Sequence, residues 1–289
     1  MVIVELSGGL GNQMFQFALY KKLELMQKDV AMDTSFFRSG QNLRKLELDV
    51  FHLSYKEISD QEAAHIRGYG YHDTILDKIR YKLRPSNIAV YHDTIGEYQS
   101  QIFEMDNVYL SGYWQNEKYF NDIRKEIFTC FAFPDSLEEK KKKLLEKIQN
   151  ENSVGIHIRR SDYLIKENRD VYGGICTKEY YENAIEYIRE HICHPVFYLF
   201  SDDLNWVREN LYREGMVLVE HSENQPSYTD MYLMSQCKHN IIANSSYSWW
   251  GAWLNSKDGK MVIAPDNWFN NHETTDMICK DWIRIGTVV

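Results

Sequence analysis

The chain has 289 residues, 44% of them hydrophobic and 26% charged, which supplies a packed core and excludes a largely disordered protein. Its formal net charge of -9 argues against a polymeric nucleic-acid partner, which calls for a basic face. An acidic chain that takes an anionic small molecule has to gather positive charge locally, so arginines near glycines or helix starts are the residues to look for. The five cysteines (Cys130, Cys176, Cys193, Cys237 and Cys279) form no C-x-x-C pair, which points to a reducing compartment and away from a zinc or disulfide framework. There is no signal-peptide pattern and no run of about 18 apolar residues, so the expectation is a cytoplasmic protein without a membrane span.

In chain order, Val2 to Leu6 reads as a buried strand, broken by Ser7-Gly8-Gly9-Leu10-Gly11-Asn12 and followed by helical apolar spacing from Gln13 to Met26. Val30 to Asp33 reads as a second strand. Helical stretches follow at Gln61 to Arg67 and Ile75 to Leu83, then a strand at Val108 to Tyr113 and a helix from Glu117 to Phe131. The polar segment Glu138 to Asn152, with Lys140-Lys141-Lys142-Lys143, reads as a solvated helix leading to a domain boundary; contact with a membrane surface is its second reading. Beyond it, strands at Val154 to Ile158, Val196 to Phe200, Met216 to Glu220, Asn240 to Ala243 and Met261 to Ala264 alternate with helices at Lys178 to Glu190, Leu204 to Tyr212, Ser227 to Ser235 and Ser248 to Leu254. That alternation predicts parallel sheets flanked by helices, in two domains, 1–150 and 151–289. Ligands of such sheets bind beyond the carboxyl ends of the strands, here expected in a cleft between the domains.

Four clusters fall just after strands. In Gly8-Gly9-Leu10-Gly11-Asn12-Gln13, Gly9 and Gly11 admit close backbone approach, but position 14 is Met, so the G-x-G-x-x-G fingerprint is not met and no P-loop lysine follows. Asn12 and Gln13 either cap the helix or reach the cleft. In His157-Ile158-Arg159-Arg160-Ser161-Asp162-Tyr163, alternation puts His157 and Arg159 on one face, where a guanidinium fork suits a diphosphate. Arg160 then turns elsewhere, to a carboxylate such as Asp162. Asp202 and Asp203 follow a strand, where they cap the next helix or hold a ribose or a metal, with capping the better reading for Asp203. No carboxylate or histidine set with metal-ligand spacing accompanies them. Asn244-Ser245-Ser246-Tyr247-Ser248 opens a helix and combines backbone N–H groups with hydroxyls, either as an anion cradle or as a plain serine cap; Trp249 and Trp250 read as core.

Taken together, GGLGNQMFQFA (8–18), HIRRSDY (157–163), YLFSDD (198–203) and NSSYSWWGAWL (244–254) resemble the bacterial α-1,2-fucosyltransferases of glycosyltransferase family 11. The H-x-R-R-x-D stretch also looks like a motif of α-1,6- and protein O-fucosyltransferases. The resemblance implies a GT-B fold, two Rossmann-like domains whose parallel sheets face each other, with an acceptor-side N-terminal domain and a donor-binding C-terminal one. It implies inverting transfer of L-fucose from GDP-β-L-fucose to the 2-hydroxyl of a terminal β-galactoside, with no metal and no cofactor. The acceptor stays open among lipid-linked O-antigen units, free lactose-like sugars and glycan ends, all of which present β-galactose, and so does peripheral association with the inner face of the membrane. By the same resemblance Arg159 binds the diphosphate, His157 and Asp230 lie at the guanine, and Ser245, Ser246 and the Tyr247 backbone meet the β-phosphate. Asn12 sits near the transferred sugar from the opposite domain. Ser161 departs from a position that is often glycine in the family.

Breaking the fucose–phosphate bond leaves negative charge on the nucleotide, so Arg159 and helix-start N–H groups are expected to supply the main electrostatic aid. Asp162 and Glu167 are the general-base candidates by position. Alternatives are an α-1,6- or protein O-fucosyltransferase, a non-catalytic nucleotide-sugar-binding protein, and an NAD-dependent oxidoreductase, against which the incomplete glycine pattern speaks.

Overall fold

The computed structural model describes residues 1–40, 44–70, 74–83, 85–134, 136–160, 163, 165–222, 225–270 and 276–286. The chain divides into two compact units, Met1–Pro134 and Asp135–Val289.

The first unit begins with β1 (Val2–Glu5), α1 (Leu10–Leu25) and β2 (Val30–Asp33). It continues through α2 (Asp60–Arg67), α3 (Ile75–Leu83), β3 (Ala89–His92), β4 (Val108–Ser111) and α4 (Arg124–Cys130). Its sheet runs β2-β1-β4-β3, with every pair parallel. The apolar strands lie inside: Ile3, Val4, Ala31, Tyr109 and Leu110 are fully buried. The helix expected over 117–131 is broken. Tyr119 and Phe120 turn into the core, and the extended φ of -147° at Phe120 interrupts the helical path before α4. Strand β3 escaped the sequence reading because it is an exposed edge strand without an apolar face.

The second unit contains α5 (Glu139–Asn150), β5 (Asn152–Ile158), α6 (Lys166–Tyr172), α7 (Lys178–His191) and β6 (Pro195–Ser201). Then come α8 (Leu204–Asn210), β7 (Val217–Leu218), α9 (Tyr228–Gln236), β8 (His239–Ile241), α10 (Ser246–Trp253), β9 (Val262–Pro265) and β10 (Ile283–Ile285). The sheet order is β10-β9-β8-β5-β6-β7, all parallel. From β5 the chain winds out through β6 to β7, then returns to the other side of β5 and winds out through β8, β9 and β10. The order reverses between β5 and β8, and the loops after those two strands diverge there to leave a crevice. Gly155 lets β5 pack closely: a Cβ on it would lie 3.1 Å from Cys237 Sγ and 3.3 Å from Asn240 Nδ2.

Helix α5 belongs to the second unit, so the boundary lies one helix earlier than the expected 150/151. Its packing explains why. Ile148 is fully buried, and Lys141, in the middle of the four-lysine run, is 3% exposed with its Nζ donating to the Glu220 carbonyl at 2.7 Å. The run is thus only partly a solvated face.

The loop between β1 and α1 is braced by Gln13, which is completely buried. Its Nε2 donates to the carbonyls of Gly8 and Lys45, both at 2.9 Å, and its Oε1 accepts from the N–H groups of Glu47 at 2.8 Å and Leu48 at 3.3 Å. Replacing Gln13 by Leu keeps the volume and strands four backbone groups. At about 1 kcal/mol for each group left without a partner, the loss should reach roughly 4 kcal/mol, read as a fall of several degrees in melting temperature. An unchanged melting curve would show that the amide does not brace the loop.

Candidate active site

Strands β5 and β6 end level. His157 pairs with Phe200 and Ile158 with Ser201, so Arg159 and Arg160 emerge beside Asp202 and Asp203. Arg159 Nη1 lies 3.1 Å from Asp202 Oδ2, while Asp202 Oδ1 accepts the Arg160 N–H at 2.9 Å. Asp202 therefore holds both the guanidinium and the backbone of the arginine turn. Arg160 points the other way, as alternation requires. Its Nε lies 3.4 Å from Asp203 Oδ2, and its guanidinium stacks over the Trp206 ring at 4.0 Å. Among the described residues the carboxylate on Arg160 is Asp203, where the expectation was one such as Asp162. Asp203 also caps α8, as its position suggested, by accepting the Trp206 N–H at 3.1 Å. Asp162 lies outside the described residues, and of Glu167 only the backbone, on α6, is described.

Across the crevice from Arg159, the loop after β8 delivers Asn244 and Ser245 and starts α10. Asn244 is 2% exposed. Its Nδ2 donates to the carbonyls of Tyr172 and Trp268, both at 3.1 Å, and its Oδ1 faces Cys176 Sγ at 3.4 Å. Its own carbonyl accepts the Tyr163 hydroxyl at 2.8 Å, which ties the loop after β5 to the loop after β8. That bonding makes Asn244 a brace of the crevice. Ser245 occupies the N-cap position without a side-chain capping bond, and Ser246 and Tyr247 form the first turn of α10. The Tyr247 ring sits 5.6 Å from that of His157, and its hydroxyl donates to the Ser227 carbonyl and accepts the Met231 N–H at 2.9 Å. Trp249, Trp250 and Trp253 are at most 1% exposed and pack on one another, as core residues should.

His157 is 5% exposed, with its carbonyl accepting the Tyr181 hydroxyl at 3.1 Å. Asp230, expected beside it, begins α9 and has partners of its own. Its carboxylate meets His221 Nε2 at 2.7 Å, accepts Gln225 Nε2 at 2.9 Å and lies 4.0 Å from Lys141 Nζ. Tyr247 bridges the two expected residues by packing on His157 and bonding to the backbone next to Asp230. The hydrogen bond that His221 makes to the Asp230 carboxylate raises the His221 pKa, while burial lowers that of Lys141.

In the first unit, Gly9 caps α1, Gly11 is buried within its first turn, and Gly8 adopts a positive φ of 78° in a space where a Cβ would lie 2.7 Å from Asn12 Nδ2. The adjacent central strands β1 and β4 bring their following loops together, and Asn12 Oδ1 accepts Gln115 Nε2 at 2.7 Å. Glu47 Oε2 accepts the Leu10 N–H at 3.1 Å, so a carboxylate of the chain itself already sits at the start of α1. Gln13, with its four bonds to backbone, braces this loop from inside.

A polar cluster at the ends of these strands was missed. Asp33, 1% exposed, accepts the Tyr109 hydroxyl at 2.6 Å and the Ser35 N–H at 2.8 Å, with Arg67 Nε 3.8 Å away. Glu5 accepts the Ser111 hydroxyl at 2.7 Å, and burial raises its carboxyl pKa. The available signal was an acidic residue closing each of two apolar strands. Among the described residues, no group of three or more His, Cys, Asp or Glu is placed to hold a metal ion, and no helix is long and apolar enough to cross a membrane.

The His221–Asp230 contact yields a pH prediction. A raised folded-state pKa means that this contact contributes fully below the ordinary value of 6.5 and fades as pH rises through the raised value. In an NMR titration His221 should titrate above 6.5, and Asp230→Asn should bring it down. A wild-type value at or below 6.5 would contradict the pairing.

Comparison with known proteins shows the family of the chain over nearly its whole length. A sequence model of the family described as Glycosyl transferase family 11 matches residues 1–286. The chain is 32% identical to the O-antigen biosynthesis glycosyltransferase WbnK of Escherichia coli over 300 residues, covering 97% of this chain and 99% of the relative. It is likewise 32% identical to an alpha-1,2-colitosyltransferase of Escherichia coli, covering 99% of each. To galactoside alpha-(1,2)-fucosyltransferase 2 of Hylobates lar it is 26% identical, over 87% of this chain and 68% of the relative. The chain belongs to glycosyl transferase family 11.

Proposed function

We propose that this enzyme moves L-fucose from GDP-β-L-fucose to the 2-hydroxyl of a terminal β-galactoside, with inversion and without a metal ion. The observation that carries the reading is the level ending of β5 and β6, which sets the Asp202-held guanidinium of Arg159 at the carboxyl end of β5, next to β8, whose following loop starts α10. As the bond from fucose C1 to the phosphate oxygen lengthens, negative charge gathers on the departing diphosphate. A pre-oriented guanidinium and the N–H groups at a helix start stabilise that charge without reorganising. In this reading the second unit binds the donor, with His157 and Tyr247 as an aromatic wall at the base and Ser245 and Ser246 at the β-phosphate. The first unit takes the acceptor, with Asn12 toward the transferred sugar. Asp162 and Glu167 are the candidates for the base that takes the acceptor proton.

The 32% identity to a colitosyltransferase over 99% of both chains favours a second reading, in which the same site transfers a colitosyl residue. Separate incubations with GDP-fucose and GDP-colitose, with lactose as acceptor and EDTA present, followed by linkage analysis, decide between them. The first reading expects an α-1,2-fucosylated product in EDTA. Transfer from GDP-colitose alone would replace the donor, and activity lost to EDTA and restored by manganese would end the metal-free scheme. Arg159→Ala should lower kcat by about a hundredfold, roughly 3 kcal/mol of transition-state stabilisation. Near-normal turnover of that variant at saturating donor would remove Arg159 from the mechanism.

A further inference from the structure

Helix α3 turns its apolar side outward. Ile75, Leu76, Ile79 and Leu83 are 79%, 77%, 49% and 75% exposed, values that no packed helix face would show. At about 100° per residue, these four positions share one arc roughly 100° wide. Lys82 and Lys78 flank the arc on one side and Arg80 on the other, all three exposed. Asp77, the only acidic residue of the helix, lies on the opposite side with Tyr81, and both are half-buried. The helix carries three cationic residues and one anionic one in a chain whose formal net charge is -9.

A reciprocal cap fixes where the helix starts, and one ring contact sets the side that it turns to α2. Thr74 and Asp77 cap the helix start reciprocally: Asp77 Oδ2 accepts the Thr74 N–H at 3.0 Å, and Thr74 Oγ1 accepts the Asp77 N–H at 3.2 Å. Tyr81 packs against His65 of α2, with ring centroids 5.9 Å apart. Behind the helix lies a groove of about 350 Å³ lined by polar groups including Arg38, Asp60, Gln61 and Arg67, which is no seat for leucine and isoleucine side chains. Rolling the apolar arc inward would break the Tyr81–His65 contact and set leucine and isoleucine against charged groups.

We infer that α3 is a membrane-surface helix, whose apolar arc enters the headgroup boundary of an anionic bilayer while Lys78, Arg80 and Lys82 reach the lipid phosphates. Lysine and arginine flanking an apolar arc extend their heads to anionic lipid while their stems stay in the apolar zone. Each such cation strengthens binding to an anionic leaflet and loses effect at high salt. This surface is distinct from the lysines of α5, one of which is buried. It concerns where the enzyme works, and it stands whichever sugar is transferred.

The test is co-sedimentation of the full chain with phosphatidylcholine vesicles and with phosphatidylcholine–phosphatidylglycerol vesicles. Wild type should bind the anionic vesicles at least about tenfold more tightly, and more weakly as salt rises. A Leu76→Asp/Leu83→Asp variant should lose that binding, as should Lys78→Gln/Arg80→Gln/Lys82→Gln, with the melting curve and the turnover of a soluble acceptor unchanged. Equal and weak sedimentation with both vesicle types, or binding untouched by either variant, overturns the inference. So does a wild-type dimer in light scattering that the leucine variant makes monomeric, since the face would then be a protein interface.

Discussion

Two parallel strands that end at the same level oblige the residues just beyond them to meet. Because β5 and β6 finish together, two arginines face two aspartates, and the alternating direction of successive side chains sorts them into two pairs. Half-exposed ion pairs of this kind add little to stability, about 1 kcal/mol or less, so their importance lies in direction. Asp203 and Trp206 hold Arg160 against α8, while Asp202 holds Arg159 on the crevice side. The cluster is electrically balanced, two charges against two. An anion entering here meets oriented donors more than a net positive field, which fits a binding site on an acidic protein.

Buried amides carry much of the remaining architecture. Gln13, in the first turn of α1, and Asn244, in the loop after β8, each tie the loop that follows a central strand to other backbone segments through several hydrogen bonds. A buried amide can do this because it both donates and accepts, whereas an apolar side chain would leave the loop carbonyls and N–H groups without partners. The loops that shape both carboxyl edges are thereby fixed before any ligand arrives.

Much of this was legible in the residues, and the misses have physical reasons. Strands with β-branched, buried runs such as Val2–Glu5 and Asn152–Ile158 were read correctly, because a strand of a helix-covered parallel sheet is apolar on both faces. The capping role of Asp203 followed from its place after a strand. Edge strands β3 and β10, exposed or half-exposed, carry no such signature, whereas β7 falls within the expected Met216 to Glu220. Gln13 and Asn244 follow strands, where polar residues often meet ligands, whereas the resemblance alone puts Asp230 at the guanine. Only the three-dimensional structure shows their partners, since these come from segments distant in sequence: Lys45 and Glu47, Trp268, and Lys141 with His221. The boundary shift has the same origin, because the bond from Lys141 to Glu220 spans much of the second unit and leaves no local trace.

The placement of α5 bears on how the second unit can be produced by itself. A fragment starting at residue 151 would lack Lys141 and Ile148, exposing the surface of β5 and α9 that the helix covers and depriving the buried Asp230 carboxylate of its nearby ammonium group. A self-sufficient fragment has to begin before Glu139, close to the end of the first unit.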